Sequence, residues 1–416
     1  MKRSKSVVLL VVLAALLWNR SASANNVVVD WNNIASTTIV TNGLKPSVTS
    51  GVWFAYVQLA VYDAVNAIDR RHKPYLFTTN APARASRDAA AIAAAHRILV
   101  NYFPSQSASL DAQYLTSIAA LTDNPFAVAA GASVGEQSAR AMIAARANDG
   151  LNASVAYTPP IGPGYWQPTP PALAPPLTPW LGHVTPFTMT EPAQFLPDEG
   201  PTPLNSRQWI DDYNQTKTLG AANSAVRTPE QSETGLFWTE HTGQQYARAF
   251  RQLATQRSLD TAETARLFAT LWAGFADAGI GCWNAKYTFG FWRPVTAIRA
   301  GGGKPLLEAD PAWTPLAATP AHPEYPAAHG CVTGVVAETL KAYFRTPNVP
   351  LSMSSTVTNT THTFSNVIDL QREVFGARIY VGFHYHRSLV QGFKMGHEVA
   401  HQMRRNFFRK SHRSRR

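Results

Sequence analysis

The chain has 416 residues, of which 45% are hydrophobic, and this length is enough for a large core or two packed subdomains. Its formal net charge is +11, but four of these positive charges fall in the first 24 residues and seven in residues 404–416, so the body is neutral. This distribution, with no recognisable nucleic-acid motif, argues against a nucleic-acid partner.

The first 24 residues are typical of a secretory signal peptide. Basic residues precede the apolar run VVLLVVLAALLW, and Ala22 and Ala24 form an A-x-A cleavage pattern. A run of about 12 residues is short for a membrane-spanning helix, which needs roughly 20. We therefore expect a secreted or periplasmic protein cleaved near Ala24, with an uncleaved anchor as the alternative.

Helical patterning dominates the rest of the chain. Ser86 and Ser258 stand where helix N-caps are expected, and alternating strand patterns are scarce. Apolar residues recur at steps of three and four, which predicts helices over residues 53–68, 86–103, 125–147 and 258–283.

A proline-rich segment, residues 156–204, divides the helical part of the chain. It has too many prolines for a helix and too many aromatic residues for a solvated linker. We therefore predict an N-terminal helical bundle at 25–155, an ordered proline-rich connection, and a C-terminal bundle at 205–403. Residues 404–416 are predicted to be a frayed basic tail that makes at most weak contacts with an anionic surface.

The segment KYTFGFWRP places Lys286 and Arg293 on either side of an aromatic run. Gly290 and Pro294 predict that one helix ends and another begins between these two cations. Arg293 is then expected at the start of a helix, where a cation can bind an anion. An ordinary lysine and arginine in salt bridges are the alternative.

The segment HPEYPAAHG, residues 322–330, precedes an amphipathic helix predicted to begin near His329. The free N–H groups of a first helical turn form an anion site. His329 could donate a proton to a bound anion or its leaving group, while His322 and Glu324 are expected to shape the approach. A capping or core role of His329 is the alternative.

The segment GARIYVGFHYH, residues 376–386, carries Arg378 and His384. We expect Gly382 to break the helix and to let both side chains converge. A neutral imidazole can act as a nucleophile or a metal ligand, and His386 is the competing candidate for this role.

Two further features leave alternatives open. HEVAH, residues 397–401, matches the pattern of zinc peptidases, but no third ligand follows it, so we expect His397 and His401 on the surface of a terminal amphipathic helix. Cys282 and Cys331 could form a disulfide or remain two buried thiols.

In chain order, Lys286 with Arg293-Pro294, P-A-A-H ending at His329, and Arg378 with His384 resemble the vanadium-dependent haloperoxidase and type 2 phosphatidic acid phosphatase (PAP2) superfamily. The pattern of that superfamily is K-x6-RP, PSGH and SR-x5-H. Further similarity to its secreted bacterial haloperoxidase-like branch lies in VYDAVNAI (61–68), TKTLGAANSAVRTPEQ (216–231), FWRPVTAIR (291–299) and HPEYP (322–326). The resemblance implies an all-α fold of two packed helical bundles, with the PAP2-like domain at about 265–403.

The resemblance also implies site roles. His329 would be the acid–base residue, and His384 would be bonded to vanadium or phosphorus. The residues implied to bind the vanadate or phosphate oxyanion are Lys286, Arg293, Ala327, Ala328 and Arg378.

Three activities are compatible with this site. The first is a haloperoxidase that carries vanadate and uses hydrogen peroxide to oxidise halide. The second is an acid phosphatase that needs no cofactor and cleaves phosphate esters through a phosphohistidine intermediate. The third is a weak or inactive oxyanion binder. The halide or ester preference and the oligomeric state stay open.

The sequence departs from the pattern of the superfamily at four positions. Ala327 replaces the serine, Ala328 the glycine, Ala377 the second serine, and Ser388 an aspartate found in the phosphatases. Losing a hydroxyl aimed at a charged oxyanion costs roughly 1.5 to 3 kcal/mol. The missing aspartate would have oriented His384, which counts against phosphatase activity.

Overall fold

The structure is a computed structural model that describes residues 26–411, so the predicted signal peptide lies outside the described residues. In that part of the chain, no helix has the length and apolar character that crossing a bilayer requires.

The all-α prediction is confirmed, with one short antiparallel hairpin added. The helices are α1 Val27–Ser36, α2 Ser50–Asp69, α3 Arg87–Tyr102, α4 Ser107–Ala119, α5 Pro125–Ala145, α6 Arg207–Gly220, α7 Pro229–Phe237, α8 Thr242–Gln256, α9 Thr261–Phe289, α10 Pro294–Arg299, α11 Ala328–Phe344, α12 Val367–Tyr380 and α13 His386–Asn406, and the strands are β1 Leu351–Ser355 and β2 Thr360–Phe364.

Local capping chemistry determines where the predicted helices begin. Ser86 accepts a hydrogen bond from the backbone N–H of Ala89, as expected for an N-cap. The predicted cap at Ser258 is wrong, because this residue has a left-handed backbone with φ of 49°. Helix α9 instead starts after Asp260, which forms a capping box with Glu263.

The helices pack in two groups that share one continuous hydrophobic core. Helices α2, α3 and α5 pack against one another, and α9, α11 and α13 form the second group. Helix α2 lies along α9, where the rings of Phe54 and Trp272 stack with centroids 4.0 Å apart. Helix α9 is the longest of the described helices and is buried over most of its length.

The proline-rich segment 156–204 lies largely outside helices, apart from a short 3-10 turn at Pro179–His183. Asp277, which is fully buried in the middle of α9, fixes one part of it. Its carboxylate accepts hydrogen bonds from the backbone N–H groups of Phe187 and Thr188, both at 2.6 Å, and of Met189 at 3.1 Å. These bonds hold the segment against the second group of helices.

Glycines allow α11 and α13 to pack closely. A Cβ atom on Gly396 would lie 2.2 Å from the carbonyl oxygen of Cys331, and one on Gly392 would lie 2.6 Å from that of Ala327. No side chain fits in either place without moving a backbone. This contact positions the first turn of α11 next to the connection between α12 and α13.

The expectation of a frayed tail is wrong for residues 404–411. Helix α13 continues to Asn406, and Phe408 is buried in the core. The backbone N–H of Lys73 donates to the carbonyl of Arg409, which joins the end of the described chain to the loop after α2. Residues 412–416 lie outside the described part.

Candidate active site

A cavity of about 190 Å³ lies where the C-terminal end of α9, the first turn of α11 and the loop between α12 and α13 meet. The predicted helix breaks produce this meeting point, since Gly290 ends α9 with φ of 55° and Gly382 follows α12 with φ of 79°. Among the predicted site residues, those that line the cavity are Arg293, Ala328, His329, Arg378 and His384.

Arg293 precedes α10 and is completely buried. Its Nε donates to the carbonyl of His322 at 2.9 Å, and one terminal nitrogen donates to the carbonyl of Phe383 at 3.0 Å. Burial lowers the pKa of Arg293 to about 10, so it stays a cation at neutral pH. These bonds hold the guanidinium rigidly against the cavity.

Arg378 reaches the cavity from the last turn of α12. One terminal nitrogen donates to the carbonyl of Trp238 at 2.7 Å, and the guanidinium lies over the ring of Phe383, 5.0 Å from its centroid. Its Nε is buried and has no partner among the described residues. Burial lowers the pKa of Arg378 to about 9, so it offers a protonated, unused donor to an anion.

Lys286 lies behind the cavity wall and does not line the cavity. Its Nζ donates to the carbonyls of Pro323 and Glu324 at 2.8 and 2.9 Å. Burial lowers the pKa of Lys286 to about 8. The structure therefore places its charge next to the site, while its donors hold the segment before α11.

His384 has its two ring nitrogens in different environments. Nδ1 lies 2.8 Å from Oε1 of Glu324, and Nε2 lies 3.3 Å from a terminal nitrogen of Arg293. Burial, followed by the charges of Arg293 and Lys286, holds the pKa of His384 well below its usual value, so the ring is neutral. The carboxylate and guanidinium together place the proton on Nδ1 and leave a lone pair on Nε2.

Glu324 is the site residue whose role the sequence analysis missed. It is fully buried and also accepts the backbone N–H of Tyr385 at 3.1 Å. Burial raises its pKa to about 7, although Lys286 and Arg293 oppose the rise. The expectation that His384 lacks an orienting carboxylate is therefore wrong. The available signal was the single acid in the segment HPEYPAAHG, directly before the helix start that was predicted to bind an anion.

His329 lies in the first turn of α11 and lines the cavity. Its Nε2 is 3.1 Å from the hydroxyl of Thr242, at the start of α8. Burial and, next, the charge of Arg378 hold its pKa well below the usual value. A bound oxyanion would offset that charge and favour a protonated ring.

The first turn of α11 has free backbone donors. Ala327 is its N-cap and provides no side-chain bond, and no acceptor among residues 26–411 takes the N–H groups of Ala328 and His329. Ala328 lines the cavity, whereas Ala327 packs with Ile379 and Leu389. The backbone, rather than a hydroxyl, is the donor here.

The structure separates the competing candidates from the cavity. His386 is exposed, with its ring against Phe375. His397 bonds to Gln371 at 2.9 Å, and His401 is exposed on α13. Within residues 26–411 no three His, Cys, Asp or Glu side chains are placed to hold a metal ion, so HEVAH has no ligand set.

The two cysteines are free and fully buried, which is the second of the two alternatives left open by the sequence. The thiol of Cys282 lies 3.7 Å from the carbonyl of Pro326, just before α11. Cys282 lies on α9, and Cys331 lies on α11 two residues after His329, the predicted acid–base residue.

The donor set fits a tetrahedral oxyanion such as vanadate or phosphate. Arg293 and Arg378 supply positive charge, Arg378 Nε and the first turn of α11 supply unused donors, and His384 supplies a lone pair. A cavity with fixed cations and backbone donors stabilises a multiply charged anion without reorganisation.

Comparisons with known proteins identify relatives of the helices that carry the cavity. Residues 266–412 match the VCPO second helical-bundle domain family. An alignment over 201 residues is 29% identical to vanadium chloroperoxidase from Curvularia inaequalis; it covers 40% of this chain and only 32% of that protein.

Solved structures share the fold. A bacterial vanadium-dependent iodoperoxidase superimposes with a TM-score of 0.79 at 21% identity, covering 93% of this chain and 97% of that one. The holo form of a bacterial vanadium-dependent chloroperoxidase gives a TM-score of 0.70 at 16% identity, covering 89% and 94%. Likeness at these identities shows the fold alone.

Proposed function

Since the chain is a member of the vanadium haloperoxidase and PAP2 superfamily, we propose that it is a vanadate-dependent haloperoxidase-like enzyme that oxidises halide with hydrogen peroxide. The observation that carries the proposal is the cavity in which the unprotonated Nε2 of His384, 3.3 Å from a terminal nitrogen of Arg293, lies with a second buried arginine, Arg378, and an open helix N-terminus. In this proposal the small-molecule substrates are hydrogen peroxide and halide, and the cofactor is vanadate.

Each residue has a defined task in this proposal. Arg378 and the N–H groups at the start of α11 bind the oxygens of the anion, and the fixed guanidinium of Arg293 offsets the negative charge of that anion. Glu324 holds Nδ1 of His384, so that Nε2 presents its lone pair to the central atom. Bound vanadate would supply a Lewis acid that activates peroxide, and His329 would move the proton that peroxide releases.

Vanadate titration of the purified protein, followed by peroxide-dependent halogenation of a dye, tests the proposal. We expect stoichiometric vanadium binding and halide-dependent dye turnover, both lost in His384→Ala. The matched control is His386→Ala, because this ring is exposed two residues away and lies outside the cavity. Turnover that persists in His384→Ala would exclude the proposed centre.

A phosphomonoesterase is the second candidate, and the pairing of His384 with Glu324 favours it. His384 Nε2 would attack phosphorus while the bond to the ester oxygen breaks, and His329 would protonate the departing alkoxide. Water would then release phosphate from the phosphohistidine. Hydrolysis of an aryl phosphate that is inhibited by vanadate and lost in His384→Ala would select this activity. Vanadate binding without either activity would instead identify an oxyanion binder.

We further propose that the protein is exported and cleaved near Ala24. The support is the sequence alone, where a short apolar run precedes an A-x-A pattern. Mass spectrometry of protein secreted by the native cell should find an N-terminus at Asn25. An intact N-terminus on membrane-bound protein would show that the segment is an anchor.

A further inference from the structure

Two further cavities lie near the N-terminal end of α9 and the C-terminal end of α11, away from the candidate active site. The two cavities, of about 280 and 570 Å³, adjoin because both are lined by His72, Arg266, Tyr343 and Lys410. We call them together the distal groove. Arg266 precedes Lys286 by 20 residues on α9, which corresponds to about 30 Å along the helix. The distal groove is therefore separate from the oxyanion cavity.

Positive charge dominates the distal groove. The first cavity has no carboxylate in its wall. The adjoining cavity is lined by Arg70, Arg71 and one acid, Glu263, and Arg71 is already paired with Asp69 and Asp260. The cations that line the first cavity are Arg266, Arg345, Arg404, Arg409 and Lys410. None of these five forms an ion pair with a carboxylate of the described chain, so their charge is available to a ligand.

Helix dipoles explain only part of this charge. Arg345 follows the C-terminal end of α11, and Arg404 lies in the last turn of α13, where cations are stabilising. Arg266 lies in the second turn of α9, close to the positive end of that helix, where a cation gains nothing from the dipole. Its guanidinium lies over the ring of Tyr343, 4.2 Å from the centroid, and is held beside the groove.

The floor of the distal groove is apolar. Met403 and Phe408 are buried there, and Phe407 is half-buried. Thr339 also lines the groove with only 4% of its surface exposed, and its hydroxyl has no hydrogen-bond partner among the described residues. A buried hydroxyl without a partner is costly, so a polar ligand atom at this point would be stabilised.

His72 reports the electrostatic potential of the groove. Burial, followed by the charges of Arg266 and Arg71, lowers its pKa to about 4, with a smaller contribution from Lys410 and an opposing effect of Asp69. An anion bound among these cations would reduce the positive potential and raise the pKa of His72. The imidazole is therefore a built-in probe of occupancy.

We propose that the distal groove is a binding site for an amphiphilic organic anion. Its phosphate, sulfate or sulfonate head group would lie among Arg266, Arg345 and Lys410, and its aliphatic body would cover Phe407 and Phe408. The cations would bind the anionic head group, and the apolar floor would bind the aliphatic body. A simple inorganic anion would leave the floor uncovered, and an uncharged alkane would leave the cations without a partner. This site is independent of the function proposed for the oxyanion cavity.

Calorimetry on the full mature chain tests the site, with vanadate present to fill the oxyanion cavity. The probe is hexanesulfonate, and inorganic sulfate and hexanol are the two comparison ligands. We expect hexanesulfonate to bind at least tenfold more tightly than either, and NMR titration to show a raised pKa of His72. Sulfate binding as tightly as the probe, or an unchanged His72, would overturn the proposal.

Two variants locate the binding. Arg266→Met should weaken hexanesulfonate about tenfold, and Thr339→Val, which keeps the side-chain shape, should weaken it severalfold without unfolding the core. Arg207→Met is the matched control, because Arg207 is an exposed arginine on α6 that does not line the groove. Equal binding in Arg266→Met and Arg207→Met would exclude the distal groove as the site.

Discussion

The Glu324 carboxylate determines how His384 presents its free nitrogen. The two residues are 60 positions apart in the chain, yet the carboxylate holds Nδ1 at 2.8 Å. In the phosphatases of this superfamily the orienting acid is expected four residues after the histidine, where this chain has Ser388. The hydroxyl of Ser388 makes only a 3.5 Å contact to the backbone carbonyl of Glu324. In this chain the carboxylate that orients His384 therefore comes from the segment before α11.

We predict that Glu324→Gln weakens vanadate binding by roughly tenfold to hundredfold, the usual effect of removing a partner of a ligating histidine. The amide can still accept a hydrogen bond, but it lacks the charge that keeps the proton on Nδ1. Vanadate titration measures the loss, with Ser388→Ala as the control that should change affinity little. Equal affinities in the two variants would contradict the orienting role.

Restoring the family serine is a second prediction at the residue scale. Ala327→Ser should raise vanadate affinity by about one to two powers of ten, because a hydrogen bond to a charged group contributes roughly 1.5 to 3 kcal/mol. Ala327 packs with Ile379 and Leu389 and does not line the cavity, so the serine has to turn its hydroxyl toward the cavity to produce this gain; a hydroxyl that stays at the helix start only caps α11. A higher melting temperature with unchanged vanadate affinity would show that the serine acts only as a cap.

The pKa of Lys286 predicts how anion binding depends on pH. Lys286 is protonated below a pKa of about 8 and loses its charge as the pH rises through that value. Loss of this positive charge beside the cavity weakens anion binding at alkaline pH. Tungstate, an oxyanion of constant charge in this range, should bind more weakly at about pH 9 than at about pH 7.

Lys286→Arg provides the comparison for this pH profile. Arginine keeps its charge over the whole range, so the loss of tungstate affinity above about pH 8 should be smaller in the variant than in the native chain. Identical profiles would show that the lysine does not contribute to the anion site through its charge.

At the scale of elements, the contact between α11 and α13 fixes the geometry of the site. Gly396→Ala would place a Cβ atom 2.2 Å from the carbonyl of Cys331, so the helices must separate. We expect a loss of about 1 to 3 kcal/mol in the free energy of unfolding, together with weaker vanadate binding. Denaturant unfolding and vanadate titration measure the two effects. The exposed Lys394→Ala on the same helix should change neither.

The hairpin shows why some elements could not be predicted. In β1 the alternating residues Leu351 and Met353 are buried, and Leu351 pairs with Phe364 of β2. The strands are five residues each and rich in serine and threonine, so their pattern resembles a loop. Helices α2 and α9, each at least 20 residues long, were far easier to predict because their periodicity repeats over many turns.

At the scale of the whole molecule, the end of the described chain is part of the core. Removing residues 412–416 should leave the melting temperature and vanadate affinity unchanged. Removing residues 407–416 should destabilise the protein by several kcal/mol, since burying each phenylalanine contributes about 1.5 to 3 kcal/mol and Phe407 and Phe408 are both lost. Thermal unfolding of the two truncated chains distinguishes these outcomes, and equal stability would contradict the packing of Phe408.

The sequence by itself determined the features that depend on neighbours in the chain. Helical periodicity predicted that helices dominate the chain, and Gly290 with Pro294 predicted where Arg293 would lie, because backbone preferences act over a few residues. Likewise, the break at Gly382 follows from its backbone freedom.

Only the tertiary structure decided which polar groups meet. It paired Glu324 with His384, placed Lys286 behind the cavity wall, and brought Thr242 to His329 across 87 positions of chain. It also gathered the cations of the distal groove from segments that lie far apart in the sequence. Hydrogen bonds and charge contacts act over a few ångströms in space, so their partners depend on the packing of α9, α11 and α13 and cannot be deduced from local sequence.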